Sequence, residues 1–196
     1  IRALKYSGTT GFALTFRLSR SIKKYGNELK RCSPSRMTEE VMKIVATGYS
    51  AQIFKLLLKY NLLGFMLPEI NSLLIRKGKN EHTASFIRDL ISIDEDVKTR
   101  GENRKGRLIA ALVSSFITFP EEYENTTFLF REIFKDIKRL IYPITPPNQE
   151  IEMAVVKLFR NEGLVPPKNA IRRKKTVHEG KNTRKHYDKN RHQKHR

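Results

Sequence analysis

Residues 33–70 have the sequence SPSRMTEEVMKIVATGYSAQIFKLLLKYNLLGFMLPEI and predict two short amphipathic helices separated by a tight turn. The first helix begins after Ser33, a residue type that caps free backbone amides, and Pro34 favours the first helical position. Gly48 predicts the break, because glycine readily adopts the left-handed conformation that ends many helices. The apolar residues of both helices recur at three- and four-residue spacing, so their side chains must be packed by the rest of the chain.

The rest of the sequence adds more helical patterns and no strand-rich region. Apolar periodicity predicts further helices at residues 1–6, 17–31, 84–98, 108–119, 126–142 and 148–162. Only residues 12–16 alternate in a way that allows a short extended piece. We therefore expect an all-α fold, an irregular array of about seven helices with a disordered basic C-terminal tail.

Charge is the most informative property of the composition. The chain of 196 residues has 39 Lys and Arg against 20 Asp and Glu, a net charge of +19. Residues 168–196 contain 12 of these bases and only two acids, Glu179 and Asp188. Such a tail has too few apolar side chains to fold alone, and its natural partner is a polyanion: RNA, DNA or anionic lipid.

No motif of a complete active site is present. The sequence has no phosphate-binding loop, dinucleotide fingerprint, nucleophile elbow or HExxH zinc motif, so we assign no catalytic residue and no metal ligand. The adjacent acids Asp94, Glu95 and Asp96 invite a metal site, but successive helical positions point apart. We expect them to form a solvated acidic patch, and the residues taken alone favour binding over catalysis.

The start of the sequence and its longest apolar run set two further expectations. The chain begins at Ile1, and residues 1–6 have the pattern of the middle of a helix, so we expect the C-terminal part of a longer protein. The longest mainly apolar run, residues 108–119, is too short to span a bilayer, so we expect no membrane partner.

Several short segments in the first 70 residues resemble one known family. They are IRALKY (residues 1–6) before Gly11 and Phe12, which is similar to "LRAIRFAA..LGF"; SPSRMTEE (33–40), similar to "PPARLFEE"; and residues 48–70, similar to "AGY…YKLL.EY.L...LFP.I". The family comprises the bacterial poly(A) polymerases and the class II CCA-adding tRNA nucleotidyltransferases. Residues 84–119 fit the family's later helices loosely, and the basic tail resembles the poly(A) polymerase branch.

The resemblance implies a division of the chain and a function. Residues 1–70 would be a neck-like helical RNA-binding domain, residues 71–167 a helical body, and residues 168–196 the tail. The whole would be the RNA-binding C-terminal part of a cytoplasmic polynucleotide adenylyltransferase, which adds AMP from ATP to the 3′ ends of mRNA or tRNA. Mg²⁺ and ATP would be bound by a catalytic head upstream, so this chain alone is expected to be inactive.

Two other functions fit the same residues. A CCA-adding tRNA nucleotidyltransferase shares the neck, and only the basic tail favours the poly(A) polymerase. A stand-alone helical RNA-binding protein without catalysis is the third interpretation. The oligomeric state is left open by the sequence.

The candidate site residues are all cations. By the resemblance, Arg2 and Lys5 lie nearest the nucleotide pocket, although they could equally form an ordinary helix ion pair. The residues predicted to bind RNA are Arg17, Arg20, Lys23 and Lys24 on a basic helix and Arg172, Arg173, Lys174 and Lys175 in the tail. The alternative for the basic helix is a face that is merely solvated.

Two expectations concern the neighbours of these cations. Arg36 matches the Arg of "PPARLFEE" and is expected to stabilise the neck by pairing with Glu39 or Glu40. Aromatic stacking platforms are not evident outside the core, so attraction to the RNA backbone should dominate over base contacts.

Overall fold

The computed structural model describes residues 1–76, 81–168 and 170–171, and these residues form ten α-helices and no β-strand. The helices are α1 (Arg2–Thr10), α2 (Phe16–Tyr25), α3 (Pro34–Val45), α4 (Ser50–Lys59), α5 (Leu63–Met66), α6 (Pro68–Arg76), α7 (Glu81–Arg100), α8 (Lys105–Val113), α9 (Thr126–Ile141) and α10 (Asn148–Asn161). The predicted all-α class is confirmed, with short helices α5 and α6 adding to the expected number. The tail predicted at residues 168–196 lies almost wholly outside the described residues.

The helix pair predicted in residues 33–70 is present as α3 and α4. The hydroxyl of Ser33 accepts a hydrogen bond from the backbone N–H of Arg36, and Pro34 is the first residue of α3. Gly48 has a φ of 72°, the left-handed conformation that was expected at the break. The apolar face of α3 is buried, so the local start, stop and periodicity signals were sufficient to predict this pair.

The carboxylate of Asp94 caps α4 from another helix, and the predicted solvated acidic patch is wrong at this position. Asp94 lies on α7 and is only 6% exposed. Its two oxygens accept hydrogen bonds from the backbone N–H groups of Ser50 and Ala51, at 2.7 and 2.9 Å. These amides have no partner within α4, and a negative charge is favourable at a helix N-terminus. The carboxylate therefore joins α7 to α4.

One hydrophobic cluster runs through the helices on both sides of residue 70. Phe54 of α4 and Phe86 of α7 pack edge to face with ring centres 5.5 Å apart. The predicted boundary between residues 1–70 and 71–167 therefore has a shared core across it, and the division into two domains stays a prediction.

Two glycines allow helices to approach closely. A Cβ atom at Gly8 of α1 would lie 2.5 Å from the Ile53 side chain of α4, and one at Gly106 of α8 would lie 2.5 Å from Met153 of α10. Any side chain at these positions would push the paired helices apart. The closeness of α1 to α4 thus depends on Gly8.

Two helices are shorter than their apolar patterns predicted. The helix expected at residues 17–31 ends at Tyr25 and continues as a 3₁₀ helix, Gly26–Arg31. The helix expected at 108–119 ends at Val113, where the hydroxyls of Ser114 and Ser115 both donate to the carboxylate of Asp89. Of residues 12–16, where an extended piece was possible, 12–15 form neither helix nor strand and Phe16 is the first residue of α2.

A buried carboxylate organises the turn between α7 and α8. Glu102 accepts hydrogen bonds from the Arg104 guanidinium at 2.7 and 2.9 Å and from that of Arg107 at 2.7 Å. The side-chain hydrogen bonds from Arg104 lower the pKa of Glu102 from its ordinary value of 4.5 to about 2. Glu102 therefore stays ionised at any physiological pH.

No helix within the described ranges is both long enough and apolar enough to cross a membrane.

Candidate nucleic-acid interface

The strongest concentration of unpaired positive charge in the described ranges is on α2. Arg17, Arg20, Lys23 and Lys24 are all exposed, and α2 contains no acidic residue. At 100° per residue the four side chains project within about 120° of arc, which we call the basic face of α2. None of the four forms an ion pair with another described residue, so their charge is available to a ligand.

α2 is attached to the rest of the molecule by its opposite side. The hydroxyls of Ser19 and Tyr60 are hydrogen-bonded at 2.9 Å, and Ile22 is half-buried. Thr15 caps the N-terminus, its hydroxyl accepting from the backbone N–H of Leu18. No side chain of α2 is fully buried, so the helix lies on the surface and presents most of its circumference to solvent.

Large aromatic side chains are exposed within α2 and in the residues before it, and the expectation that none would be available outside the core is wrong. Phe16 is 79% exposed and Phe12 is 77% exposed, while Tyr6 and Tyr25 are also exposed. The ammonium of Lys24 lies 5.2 Å from the centre of the Tyr25 ring, within cation–π range. The surface around α2 therefore combines cations with rings.

The helix start explains why sequence reasoning missed Phe16. The basic helix was expected to begin at Arg17, which left Phe16 in an extended segment. Because α2 begins at Phe16, this residue lies one turn before Arg20, on the basic face. The Thr15 cap, a standard helix-start signal, could have placed it there.

The two candidate nucleotide-binding residues lie on α1, in different environments. Arg2 is exposed at the start of the helix, one turn from the exposed Tyr6. Lys5 is half-buried, and its ammonium lies 3.4 Å from a carboxylate oxygen of Glu40 on α3. The ion-pair alternative thus holds for Lys5, although the pair joins two helices, and the nucleotide-binding role of both residues stays a prediction.

A comparison with known protein families adds an independent finding. Residues 11–74 match the family described as "Probable RNA and SrmB- binding site of polymerase A". The match begins at the turn before α2, includes α2 to α5 and ends near the end of α6. No curated protein and no solved structure matches the chain.

The polymerase A match confirms the resemblance noted in the first 70 residues from residue 11 onward, and it includes the basic face of α2. Residues 11–74 are therefore similar to a region described as a probable RNA-binding site, which suggests RNA as a partner. Helices α7 to α10 lie outside the matched residues.

The pairing expected for Arg36 in the polymerase A region is wrong. Glu40 pairs with Lys5, and Glu39 pairs with Lys43 one turn later at 3.5 Å. Arg36 is exposed and forms no ion pair within the described part of the chain. Sequence spacing could not reveal this, because the contact that occupies Glu40 comes from α1, 35 residues earlier in the chain.

The candidate tail residues Arg172, Arg173, Lys174 and Lys175 lie outside the described residues. Their predicted contact with RNA phosphates stays a prediction.

An open groove between α6 and α9 is a second surface with mixed chemistry. Its lining residues are Pro68, Glu69, Lys138, Arg139 and Tyr142, and its volume is about 510 Å³. Arg139 is already paired with Asp136 at 3.0 Å, and Glu69 brings a negative charge to the same groove. The groove is therefore a poorer site for a polyanion than the basic face of α2.

Proposed function

We propose that this chain is the RNA-binding part of a polynucleotide adenylyltransferase, an enzyme that adds AMP from ATP to RNA 3′ ends. The observation that carries the proposal is that the polymerase A match, residues 11–74, includes four exposed cations with no acidic partner among the described residues. Folded proteins usually intersperse charges of both signs on their surfaces. A ten-residue helix in which every charged residue is a cation therefore favours a polyanionic ligand.

The basic face of α2 supplies the phosphate contacts in this proposal. Its cations stay hydrated and mobile in the free protein, and each can neutralise a phosphate and release a counterion on binding. Lys5 contributes less to the initial attraction, because Glu40 already offsets its charge. Arg2 has no such partner in the described part of the chain and is exposed, so its charge is also available to a ligand.

The proposal assigns RNA binding to these residues and no step of nucleotide transfer. Within the described ranges, no three His, Cys, Asp or Glu side chains gather closely enough to hold a metal ion. We therefore assign no described residue to Mg²⁺ coordination and derive no catalytic step from these residues.

Removing the charge of α2 tests the RNA-binding role. In one variant, Arg17, Arg20, Lys23 and Lys24 are all replaced by Gln, and RNA affinity is measured by fluorescence anisotropy at several salt concentrations. The slope of log K against log salt should become shallower by up to about 3, since each lost phosphate contact on a single strand contributes about 0.7. The matched control replaces the four cations of α9, which are Arg131, Lys135, Lys138 and Arg139.

The two variants lose the same formal charge, so a general effect of net charge would change both slopes equally. Equal slopes would contradict a specific role for α2. The reaction itself is tested separately, by incorporation of ATP or CTP at RNA 3′ ends by the full-length protein. Preference for CTP would overturn the adenylyltransferase and favour CCA addition, while leaving the RNA-binding role intact.

A further inference from the structure

Exposed apolar side chains are concentrated around α2. Five of the thirteen large hydrophobic side chains that are exposed in the described residues fall within residues 6–25: Tyr6, Phe12, Phe16, Leu18 and Tyr25. Single exposed apolar residues are common on protein surfaces, whereas a concentration of them in one segment favours a binding role for that segment. Four of the five are aromatic, which favours a ligand with planar groups that can stack on these rings.

Phe16 is the ring best placed among the cations. At 3.6 residues per turn it shares one side of α2 with Arg20 and Lys24, which follow it at intervals of about 6 Å along the helix axis. The ring of Tyr25 projects from the other side of the helix and already has the Lys24 ammonium near it. Phe16 has no such neighbour within the described residues and is 79% exposed.

We propose that α2 binds single-stranded RNA by stacking an unpaired base on the ring of Phe16 while Arg20 and Lys24 hold the adjoining phosphates. This inference rests on the proposed RNA-binding function and adds the class of RNA that the surface selects. Base–aromatic stacking beside a positively charged track is the usual design of proteins that bind single strands.

The same geometry disfavours double-stranded RNA. In an A-form duplex the faces of the bases are stacked on one another, and proteins contact the shallow minor groove and the phosphates instead. The cations of α2 can still attract the phosphates of a duplex, but a duplex presents no unstacked base to the ring of Phe16. Phe16 should therefore affect binding of single strands only.

The absence of tryptophan from the sequence provides a direct test. Phe16→Trp introduces the only tryptophan of the chain at the proposed stacking position. Leu18→Trp introduces a single tryptophan at an exposed position about 200° around the same helix. Titration with an oligoadenylate should quench the emission of the Phe16→Trp variant and have much less effect on the Leu18→Trp variant. A duplex of the same length should quench neither.

Removal of the ring gives the matching affinity measurement. Phe16→Ala should weaken binding of the single strand by about 5- to 150-fold and leave duplex binding unchanged, while Phe16→Tyr should retain affinity. Because Phe16 is exposed, the Ala variant should unfold at the wild-type denaturant concentration, which verifies that the fold is intact.

The outcomes separate this inference from the function on which it rests. If the wild-type chain binds neither RNA, the proposed function fails. If it binds RNA but the Phe16→Ala variant binds both forms as the wild type does, or the two Trp variants are quenched equally, base stacking on Phe16 is wrong and phosphate binding stands.

Discussion

Helices α2 and α9 have the same general design but different surroundings. Each is amphipathic, carries four cations, and begins with a side-chain cap, Thr15 in one and Asn125 in the other. On α9 the apolar stripe is buried, and Lys135 and Arg139 pair with the acids three residues before them. On α2 no side chain is fully buried and no acid is present.

The difference shows that amphipathic patterning alone does not reveal what a helix does. The stripe of α9 stabilises the fold, and two of its four cations are paired with acids of the same helix. The stripe of α2 contributes little to the core, and its charges have no partner within the described residues. Exposed apolar side chains together with unbalanced charge are the reason that we propose a binding role for α2 and a structural role for α9.

The largest expected effect concerns burial. Ile137→Ala on α9 should lower the free energy of unfolding by about 2–5 kcal/mol, because Ile137 is completely buried and the substitution leaves a cavity. Leu18→Ala on α2 should change it by less than about 0.5 kcal/mol, since Leu18 is exposed. Urea denaturation of both variants measures the contrast. A loss of more than 2 kcal/mol for Leu18→Ala would show that α2 belongs to the folding core.

A smaller effect separates buried from exposed ion pairs. Glu102→Gln should cost about 1–3 kcal/mol at neutral pH, because it weakens the charge-assisted hydrogen bonds from Arg104 and Arg107. Glu132→Gln, which breaks an exposed pair on α9, should cost less than about 1 kcal/mol.

The cost of Glu102→Gln should depend on pH in a defined direction. The pKa of Glu102 is lowered to about 2 in the folded protein, so its stabilising effect is fully present above the ordinary value of 4.5. The effect should decline as the pH falls from 4.5 toward 2. Unfolding of the wild type and the variant across this range measures the difference, and a difference that grows on acidification would contradict the assignment.

The smallest effect comes from giving α2 the charge balance of α9. Ser21→Glu places a carboxylate four residues after Arg17 and three before Lys24, where it can pair with both. RNA affinity at low salt should fall by about two- to fivefold. Ser21→Gln is the matched neutral control and should bind as the wild type does. An equal loss in both variants would point to the Ser21 hydroxyl, which donates to the Arg17 carbonyl, and not to charge.

The sequence predicted those features whose causes are local. Ser33, Pro34 and Gly48 act on the backbone beside them, so the start of α3 and the break after it could be derived without a structure. The role of Asp94 depends on α7 lying across the start of α4, 43 residues away, and no local pattern contains that fact.

The candidate site was predictable in its charge but not in its shape. The exposed cations of α2 were expected, because they lie away from the apolar face of the helix predicted at residues 17–31. The position of Phe16 was missed because α2 begins one residue earlier than predicted. This difference places the ring on the basic face and not in an extended segment. The partner of Glu40 depended on the packing of α1, which brings Lys5 to it and leaves Arg36 in solvent.

Gly8 gives the molecule a mechanical property that follows from the missing side chain. Because α1 contacts α4 at this point with no room for a methyl group, an added side chain would displace this contact, which lies near the C-terminal end of the nine-residue helix. A tilt of about 10° around it would move Arg2, about 9 Å away along the axis, by roughly 1.5 Å. The direction of α1, and with it the position of Arg2, therefore depends on the absence of a side chain at residue 8 as well as on the burial of Leu4.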